Sequence, residues 1–243
     1  MRKCTLRLCA EPLLPGAAVM PDATALAQLI ESLPPAQRLA LAYAPGAARQ
    51  PTLALLALDQ RLARALSQAS EPIAAQMRLA WWRDTLKAGL KAQGADPLLG
   101  ALLPWKGHEN ALIALVDSWE EMLADPPLPQ HAMEGLAAAR GSCFAALAKV
   151  LNCRADQQAQ VAAAGRIWAL ADLAAGLSNR QEIAACFDLE HETALAVAPL
   201  PRPLRPLSVL AGLGARSIRK RRTKLLAGPA DLLVAMRIGM TGR

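Results

Sequence analysis

Acidic side chains have the clearest potential for chemistry in this chain, because paired carboxylates can hold a metal ion. Carboxylates four residues apart on a helix lie on the same face, and Mg²⁺ prefers several oxygen ligands in octahedral geometry. Asp117 and Glu121 form such a pair in the segment "DSWEEM". We favour a solvated acidic helix face for this pair and keep a displaced metal site as the alternative.

Two adjacent tryptophans lie between two arginines in "MRLAWWRD", residues 77–84. On a helix, Arg78, Trp81 and Trp82 share one face, whereas Arg83 lies partly off it. Buried indoles commonly pack against neighbouring elements while their N–H groups find carbonyls. We therefore expect both tryptophans to be structural and both arginines to be paired with acids or carbonyls. An anion contact is the alternative role for Arg83.

A basic run, "RSIRKRRTK", occupies residues 216–224. It follows apolar residues at helical spacing, which leaves two interpretations: contact with an anionic membrane surface or a solvated C-terminal face. No aromatic residues are interleaved with the run, so we do not expect nucleic-acid binding. The candidate membrane-contact residues are Arg216, Arg219, Lys220, Arg221 and Arg222.

The cysteines and histidines do not form a recognisable site in the sequence. The five cysteines contain no CxxC pair, and the three histidines, His108, His131 and His191, are scattered. Zinc is therefore not expected, and reduced buried thiols are the default for a cytosolic protein. Ser142 and Cys143 have no histidine nearby in the sequence, so a nucleophile is not supported either.

Helices must position these residues. The chain has 243 residues with a hydrophobic fraction of 53%, much of it alanine, and contains two Phe and one Tyr; this composition favours helices over strands. The sequence contains no run of 18 apolar residues, so we predict no transmembrane helix. The net charge of +7 fits an anionic partner, but it is also common in arginine-rich proteins without one.

Proline and glycine separate the apolar-periodic segments, which predicts a single all-α domain over residues 20–243. Met20 precedes a helix start with Asp22 as N-cap, so we expect residues 1–19 to be disordered or a start-site extension. Glu11, Pro12 and Pro15 interrupt any signal-peptide core, and we expect a cytoplasmic protein.

A further helix, capped by Ser70, carries the tryptophans. The other predicted helices cover residues 22–32, 35–43, 51–69, 109–124, 130–151, 155–186, 206–226 and 229–238.

The order of several segments resembles the squalene/phytoene synthase family. "LALLALDQRLARAL" followed by "SEPIAAQMRLAWWRDTL" is similar to the first aspartate-rich helix and the R-L-x-W-W-R helix of that family. "ARGSCFAALAKVL" (139–151), "AGRIWALADLAAGL" (164–177) and "PRPLRPLSVLAGLGARSI" follow in the family's order. The resemblance covers roughly residues 25–240 and implies an isoprenoid-synthase-type helical bundle around a central cavity.

Members of this family join two prenyl diphosphates through Mg²⁺ held by two aspartate-rich motifs, and both motifs are degraded here. Asp59 lies about one turn before the first motif. Asp172 is present in the second motif, but Gly176 occupies the position of its partner carboxylate. The loss resembles a branch of the family that includes the mitochondrial complex I assembly factor. The first motif maps to Ala63, Arg64 and Ser67.

Three hypotheses follow. In the first, the chain is a non-catalytic binding or assembly factor without a cofactor, and its partner is a respiratory-complex protein or an isoprenoid or lipid ligand. In the second, it is a Mg²⁺-dependent prenyl transferase in which Asp59, Asp172 and Asp117 or Glu121 converge on one cavity. In the third, it is a peripheral protein of the inner membrane face with a closed cavity. The candidate cavity or anion contacts are Arg78, Trp81, Trp82, Arg83 and Asp172.

Overall fold

The computed structural model describes residues 23–69, 71–91, 96–190 and 195–243, and all regular structure in these ranges is helical. The all-α fold class predicted from composition is therefore confirmed. Several expected features lie outside the described residues: the N-terminal extension 1–19, the caps Asp22 and Ser70, and the residues Cys4, Cys9 and His191.

Eleven α-helices follow one another in the described ranges, with short 3-10 turns between some of them. They are α1 (Ala23–Glu31), α2 (Pro35–Ala42), α3 (Gly46–Ser67), α4 (Pro72–Lys87), α5 (Pro97–Ala101), α6 (Glu109–Glu121), α7 (Gln130–Val150), α8 (Gln158–Gly176), α9 (Arg180–Asp188), α10 (Arg205–Arg219) and α11 (Pro229–Thr241).

Proline marks the start of several of these helices. Pro35, Pro72, Pro97 and Pro229 each occupy the first helical position, where the missing N–H removes no hydrogen bond and the fixed φ suits the helix. Pro51 differs, because α3 already begins at Gly46 and Pro51 lies inside it. The prediction that this helix starts at residue 51 is therefore wrong by one and a half turns.

Two other predicted helices end earlier than expected. The segment 155–186 is divided between α8 and α9, because Leu177 is extended (φ −84°, ψ 149°) and the Asn179 side chain accepts from the Gln181 N–H as a new N-cap. The segment 206–226 is helical only to Arg219, and Arg221 has a positive φ of 47°, which ends the helix.

Helix α8 is at the centre of the bundle. It packs most extensively against α7 and next against α10, which in turn contacts α11 and α2. The α7–α8 approach requires glycine, because a Cβ on Gly141 would lie 2.5 Å from the Ala162 carbonyl oxygen and one on Gly165 would lie 2.9 Å from the Gly141 Cα. Two glycines thus fix the distance between the helices that carry Arg140 and Asp172.

One hydrophobic cluster extends from Leu29 to Ile238, and its largest fully buried side chains include Trp105, Trp168 and Phe144. The ring of Phe144 meets that of Trp168 edge to face, with centroids 5.5 Å apart. Among the described residues, no helix combines the length and apolar character needed to cross a bilayer.

Candidate functional site

A cavity with a volume of about 760 Å³ lies between α3 and α8. The C-terminal halves of α3 and α8 form two of its walls. The C-terminal end of α6 and the residues around the start of α2 close it. The residues after α10 complete the mouth. Most lining side chains are apolar, among them Leu66, Trp119, Met122, Leu173 and Leu225. Its size is typical of a pocket for a small organic ligand.

A buried charge network contributes two polar side chains, Arg140 and Asp172, to the cavity wall. The guanidinium of Arg140 on α7 lies 2.8 Å from the Asp59 carboxylate on α3 and 3.2 Å from the Asp172 carboxylate on α8. Arg140 and Asp59 are almost fully buried, whereas Asp172 keeps 18% of its side chain exposed. Because Arg140 and Asp172 line the cavity, the network is accessible from the cavity at these two residues.

Two tryptophans support Arg140. Its guanidinium lies 5.2 Å from the ring centroid of Trp119 and 5.1 Å from that of Trp168, distances at which an indole face stabilises a cation. The Trp119 indole N–H also donates to Asp59 at 2.9 Å, and Arg140 donates to the Ala169 carbonyl at 3.3 Å. These contacts together hold the guanidinium of Arg140 in one position.

The network alters the proton affinity of its members. Burial raises the pKa of Asp172, and the nearby Asp59 carboxylate also raises it, against the lowering effect of Arg140. Burial disfavours the charged form of Arg140, but the two carboxylates outweigh it and raise the pKa of the guanidinium. Arg140 is thus a permanent cation at neutral pH, and Asp172 is more easily protonated than an ordinary aspartate.

The positions that the resemblance maps to the two aspartate-rich motifs line this cavity. Ala63, Arg64 and Ser67 lie on the α3 wall, opposite Asp172 and Gly176 on α8. Acids at these positions would therefore face one another across the cavity. A Cβ on Gly176 would have no atom within 4 Å, so the missing side chain leaves open space at the mouth.

The residues present do not fit a Mg²⁺–diphosphate site. The two carboxylates that the fold brings together, Asp59 and Asp172, are both bound to Arg140, so a divalent cation between them would meet a guanidinium. In the part of the chain that the structure describes, no group of three or more acidic, histidine or cysteine side chains is arranged to hold a metal ion. No catalytic step through a metal follows from this arrangement.

The acidic pair on α6 is not part of the cavity lining. Asp117 lies 2.6 Å from Arg83, which also binds Glu120, and these contacts raise the pKa of the Arg83 guanidinium. Glu121 points towards Gly135 on α7. Neither Asp117 nor Glu121 therefore joins Asp59 and Asp172, which are both bound to Arg140. The prediction that Arg83 pairs with acids is confirmed.

The tryptophan helix borders a different groove. Arg78, Trp81 and Trp82 line a space between α3 and α4 rather than the central cavity. Trp82 is buried, as expected for a packing residue, but Trp81 is 50% exposed. The two rings are perpendicular with centroids 4.9 Å apart. Arg78 has no ion pair among the described residues, unlike the pairing we expected from the sequence.

The basic run after α10 is largely occupied by contacts within the chain. Arg216 and Arg222 both bind Asp231 on α11, and Arg221 binds Asp188 on α9. Arg219 donates to the Leu195 carbonyl at 2.8 Å. Of the five candidate membrane-contact residues, Lys220 alone has no such partner among the described residues. The membrane interpretation of this run remains a prediction, with few free cations to support it.

The described cysteines are free thiols, and Cys143 and Cys186 are buried. Burial raises the pKa of Cys143 strongly and that of Cys186 to about 12. Neither thiol is therefore ionised at neutral pH, which agrees with the structural role expected from the sequence.

Sequence reasoning missed Arg140, the centre of the site. The available signal was a single basic residue within the apolar stretch "GLAAARGSCFAALA", since a charged residue in the middle of a buried helix needs a partner. Comparisons of the chain with protein-family models, with curated proteins and with solved structures found no match.

Proposed function

We propose that the chain binds an isoprenoid or a related lipid in the central cavity without converting it, and that it acts as a binding or assembly factor with an isoprenoid-synthase-type fold. The observation that carries this proposal is the cavity itself, which is mainly apolar and whose lining carboxylate, Asp172, is paired with Arg140. Apolar walls with a few fixed polar groups are typical of ligand pockets.

The mouth of the cavity favours an amphiphile with an anionic head. Arg64 and Lys224 both line the cavity and are exposed. Arg64 donates to the Ser32 carbonyl, which leaves its charge uncompensated, and Lys224 has no ion pair among the described residues. The acid in the lining, Asp172, is already paired with Arg140. A ligand with an apolar chain and a phosphate head would therefore meet complementary groups at both ends.

Calorimetric titration tests the proposal directly. Farnesol, farnesyl diphosphate and geranylgeranyl diphosphate would be titrated with and without Mg²⁺, and products would be sought after incubation. We expect binding of the prenyl chain that does not depend on Mg²⁺, and no C30 or C40 product. The Lys224→Gln variant should weaken binding of the diphosphates and leave binding of farnesol unchanged.

A matched pair of glycine substitutions locates the ligand. Gly176→Leu places a side chain in the open space at the cavity mouth and should abolish binding. Gly46→Leu introduces the same side chain at the start of α3, where a Cβ also meets no atom within 4 Å, and should leave binding intact. Equal affinity of both variants for farnesol would contradict a ligand in the cavity.

The alternative function is a prenyl transferase with unorthodox metal ligands. The observation that favours it is the proximity of Asp59 and Asp172 at Arg140, because such an enzyme was expected to bring these two acids together with Asp117 or Glu121. Mg²⁺-dependent affinity together with a C30 or C40 product would support this alternative over the binding function. If no prenyl ligand binds, recovery of respiratory-complex subunits in a pull-down with the purified chain would support an assembly role alone.

A further inference from the structure

Helix α4 exposes an apolar stripe. Ile73, Met77 and Trp81 are 61%, 70% and 50% exposed, and their spacing of four residues places them on one side of the helix, about 6 Å apart along its axis. The opposite side of α4 packs into the core through Leu79 and Trp82. A helix inside a fold has no structural need for an exposed stripe of this kind.

A cationic groove adjoins the stripe. The space between α3 and α4 measures about 540 Å³ and contains the side chains of Arg61, Arg64 and Arg78. Asp96 is the single acid in its lining and lies 3.1 Å from Arg61. The arginines therefore exceed the acids by two in the lining, and Arg78 has no ion pair in the part of the chain that the structure describes.

The stripe and the groove form one continuous surface, because Met77 and Trp81 belong to both. Ile73 extends the apolar part beyond the groove. An isolated phosphate compound in the groove would leave Ile73 uncovered, whereas a lipid bilayer presents phosphates and apolar chains next to each other. Tryptophan is enriched at the headgroup level of a membrane, and arginine binds phosphate through its planar fork of donors.

We infer that α4 and the adjoining groove bind the surface of a membrane that contains anionic phospholipids. Ile73, Met77 and Trp81 enter the headgroup region, and Arg61, Arg64 and Arg78 contact lipid phosphates. The net charge of +7 favours the same anionic surface. The groove shares Arg64 with the lining of the central cavity, but this inference does not depend on a ligand in that cavity.

Two other surfaces compete for this role. In the basic run 216–224 the arginines contact Asp188, Asp231 or the Leu195 carbonyl, which leaves Lys220 and Lys224 without an ion pair among the described residues. Helix α11 exposes Leu233, Met236 and Met240, but these side chains line neither the groove between α3 and α4 nor the central cavity. Variants on these two surfaces therefore serve as controls.

The protein's own tryptophans provide a local readout. All five lie in the described residues, and Trp81 is half exposed whereas the others are at most 7% exposed. Vesicles of phosphatidylcholine with phosphatidylglycerol should shift the emission of the full chain to shorter wavelength, and brominated lipid should quench it. Vesicles of phosphatidylcholine alone should bind far more weakly, and added salt should reduce binding. Trp81→Phe should still sediment with anionic vesicles but lose the shift.

Substitutions on α4 measure how much the cationic groove and the apolar stripe each contribute to vesicle binding. Arg78→Gln should weaken vesicle binding about fivefold, the effect of one basic residue near the lipid, and Met77→Asp should weaken it more than about tenfold by placing a charge in the apolar stripe. Both residues are exposed, so circular dichroism and the unfolding temperature should match those of the unmodified chain. Lys220→Gln and Leu233→Asp should bind like the unmodified chain.

Three outcomes would overturn the inference. The first is equal binding to neutral and anionic vesicles, or no binding to either. The second is a loss of binding in Lys220→Gln or Leu233→Asp that matches the loss in the α4 variants. The third is a shift of Trp81 emission on addition of inorganic phosphate alone, which would make the groove a site for small phosphate compounds.

Discussion

The guanidinium of Arg140 lies 2.8 Å from the carboxylate of Asp59, and each side chain is at most 3% exposed. The two residues are 81 positions apart in the chain and connect α7 to α3 at the wall of the cavity. Removing one partner of a buried pair leaves an uncompensated charge, which is more costly than the net value of the pair. The pair is therefore the most vulnerable point of the site.

Arg140→Ala should lower the free energy of unfolding by about 3–5 kcal/mol. Asp59→Asn should be nearly as costly, and the double variant should lose less than the sum of the single losses, since the charges are removed together. Urea unfolding followed by circular dichroism measures all three. A loss below about 1 kcal/mol for Arg140→Ala, a value typical of surface ion pairs, would show that the pair contributes little to stability.

Asp172→Asn should behave differently from Asp59→Asn, because burial raises the pKa of Asp172. A raised pKa means that the folded protein holds this proton more tightly than the unfolded chain does. The contribution of Asp172 to stability therefore falls as the pH rises from its ordinary pKa of 3.8 to the folded value. The stability of Asp172→Asn relative to the unmodified chain should increase across that window and stay constant above it.

Thermal unfolding of both proteins over a pH series tests this sign. Arg140 keeps Asp59 as its partner in the variant, so no unpaired guanidinium complicates the comparison. A relative stability that falls with increasing pH would mean that the ion pair with Arg140 outweighs the burial of Asp172.

Introducing acids at the positions that the resemblance maps to the aspartate-rich motifs should create divalent-cation affinity. Ala63, Ser67 and Gly176 line the cavity together with Asp172, so aspartates at all three positions would place four carboxylates around one space. We expect the triple variant to bind Mn²⁺ in paramagnetic resonance titrations, since hard cations select oxygen ligands. The variant with three asparagines has nearly the same shape without the charge and should not bind; equal binding by both variants would refute the assumed geometry.

Local signals predicted most of the helices but not their tertiary partners. Pro35, Pro72 and Pro229 mark helix starts that the sequence showed, because proline acts on its own neighbours. The helix start predicted at Pro51 is wrong, because α3 begins at Gly46 and accepts the proline early in its length. Asn179 begins a new helix within a run whose apolar pattern predicted one continuous helix.

The candidate site was only partly predictable. The resemblance pointed to Ala63, Ser67, Asp172 and Gly176, which do line one cavity. Arg140 was not predicted, because its partners come from α3 and α8 and no sequence spacing relates them. The exposure of Trp81 was also missed: adjacent helical residues are about 100° apart, so burial of Trp82 does not require burial of its neighbour.

The requirement for glycine at the α7–α8 contact can be tested by replacing a glycine with alanine at two different positions. Gly141→Ala should lower the free energy of unfolding by about 1–3 kcal/mol, the usual cost of overpacking, because its Cβ would lie 2.5 Å from a backbone oxygen. Gly176→Ala, also in a helix but facing open space, should be neutral or stabilising by up to about 1 kcal/mol through helix propensity. Equal effects would contradict the close helix approach.

Asp231 connects the basic run to the C-terminal helix, and its loss should release that helix. Burial opposes its charge, but hydrogen bonds from Arg216 and the Ala227 backbone and the charge of Arg222 lower its pKa below 3.8. Its stabilising effect is therefore present above that pH and disappears as the pH falls through the folded pKa. Asp231→Asn should cost about 2 kcal/mol, the contribution of hydrogen bonds to a charged group.

Hydrogen exchange shows where this loss acts. In Asp231→Asn, amides of α11 and of residues 220–228 should exchange faster at neutral pH, while those of α7 and α8 should keep their protection, because the network around Arg140 does not involve Asp231. The unmodified chain should approach the exchange pattern of the variant only under strongly acidic conditions. Uniformly faster exchange in every helix would instead mean that α11 unfolds together with the whole bundle and that Asp231 stabilises the entire core.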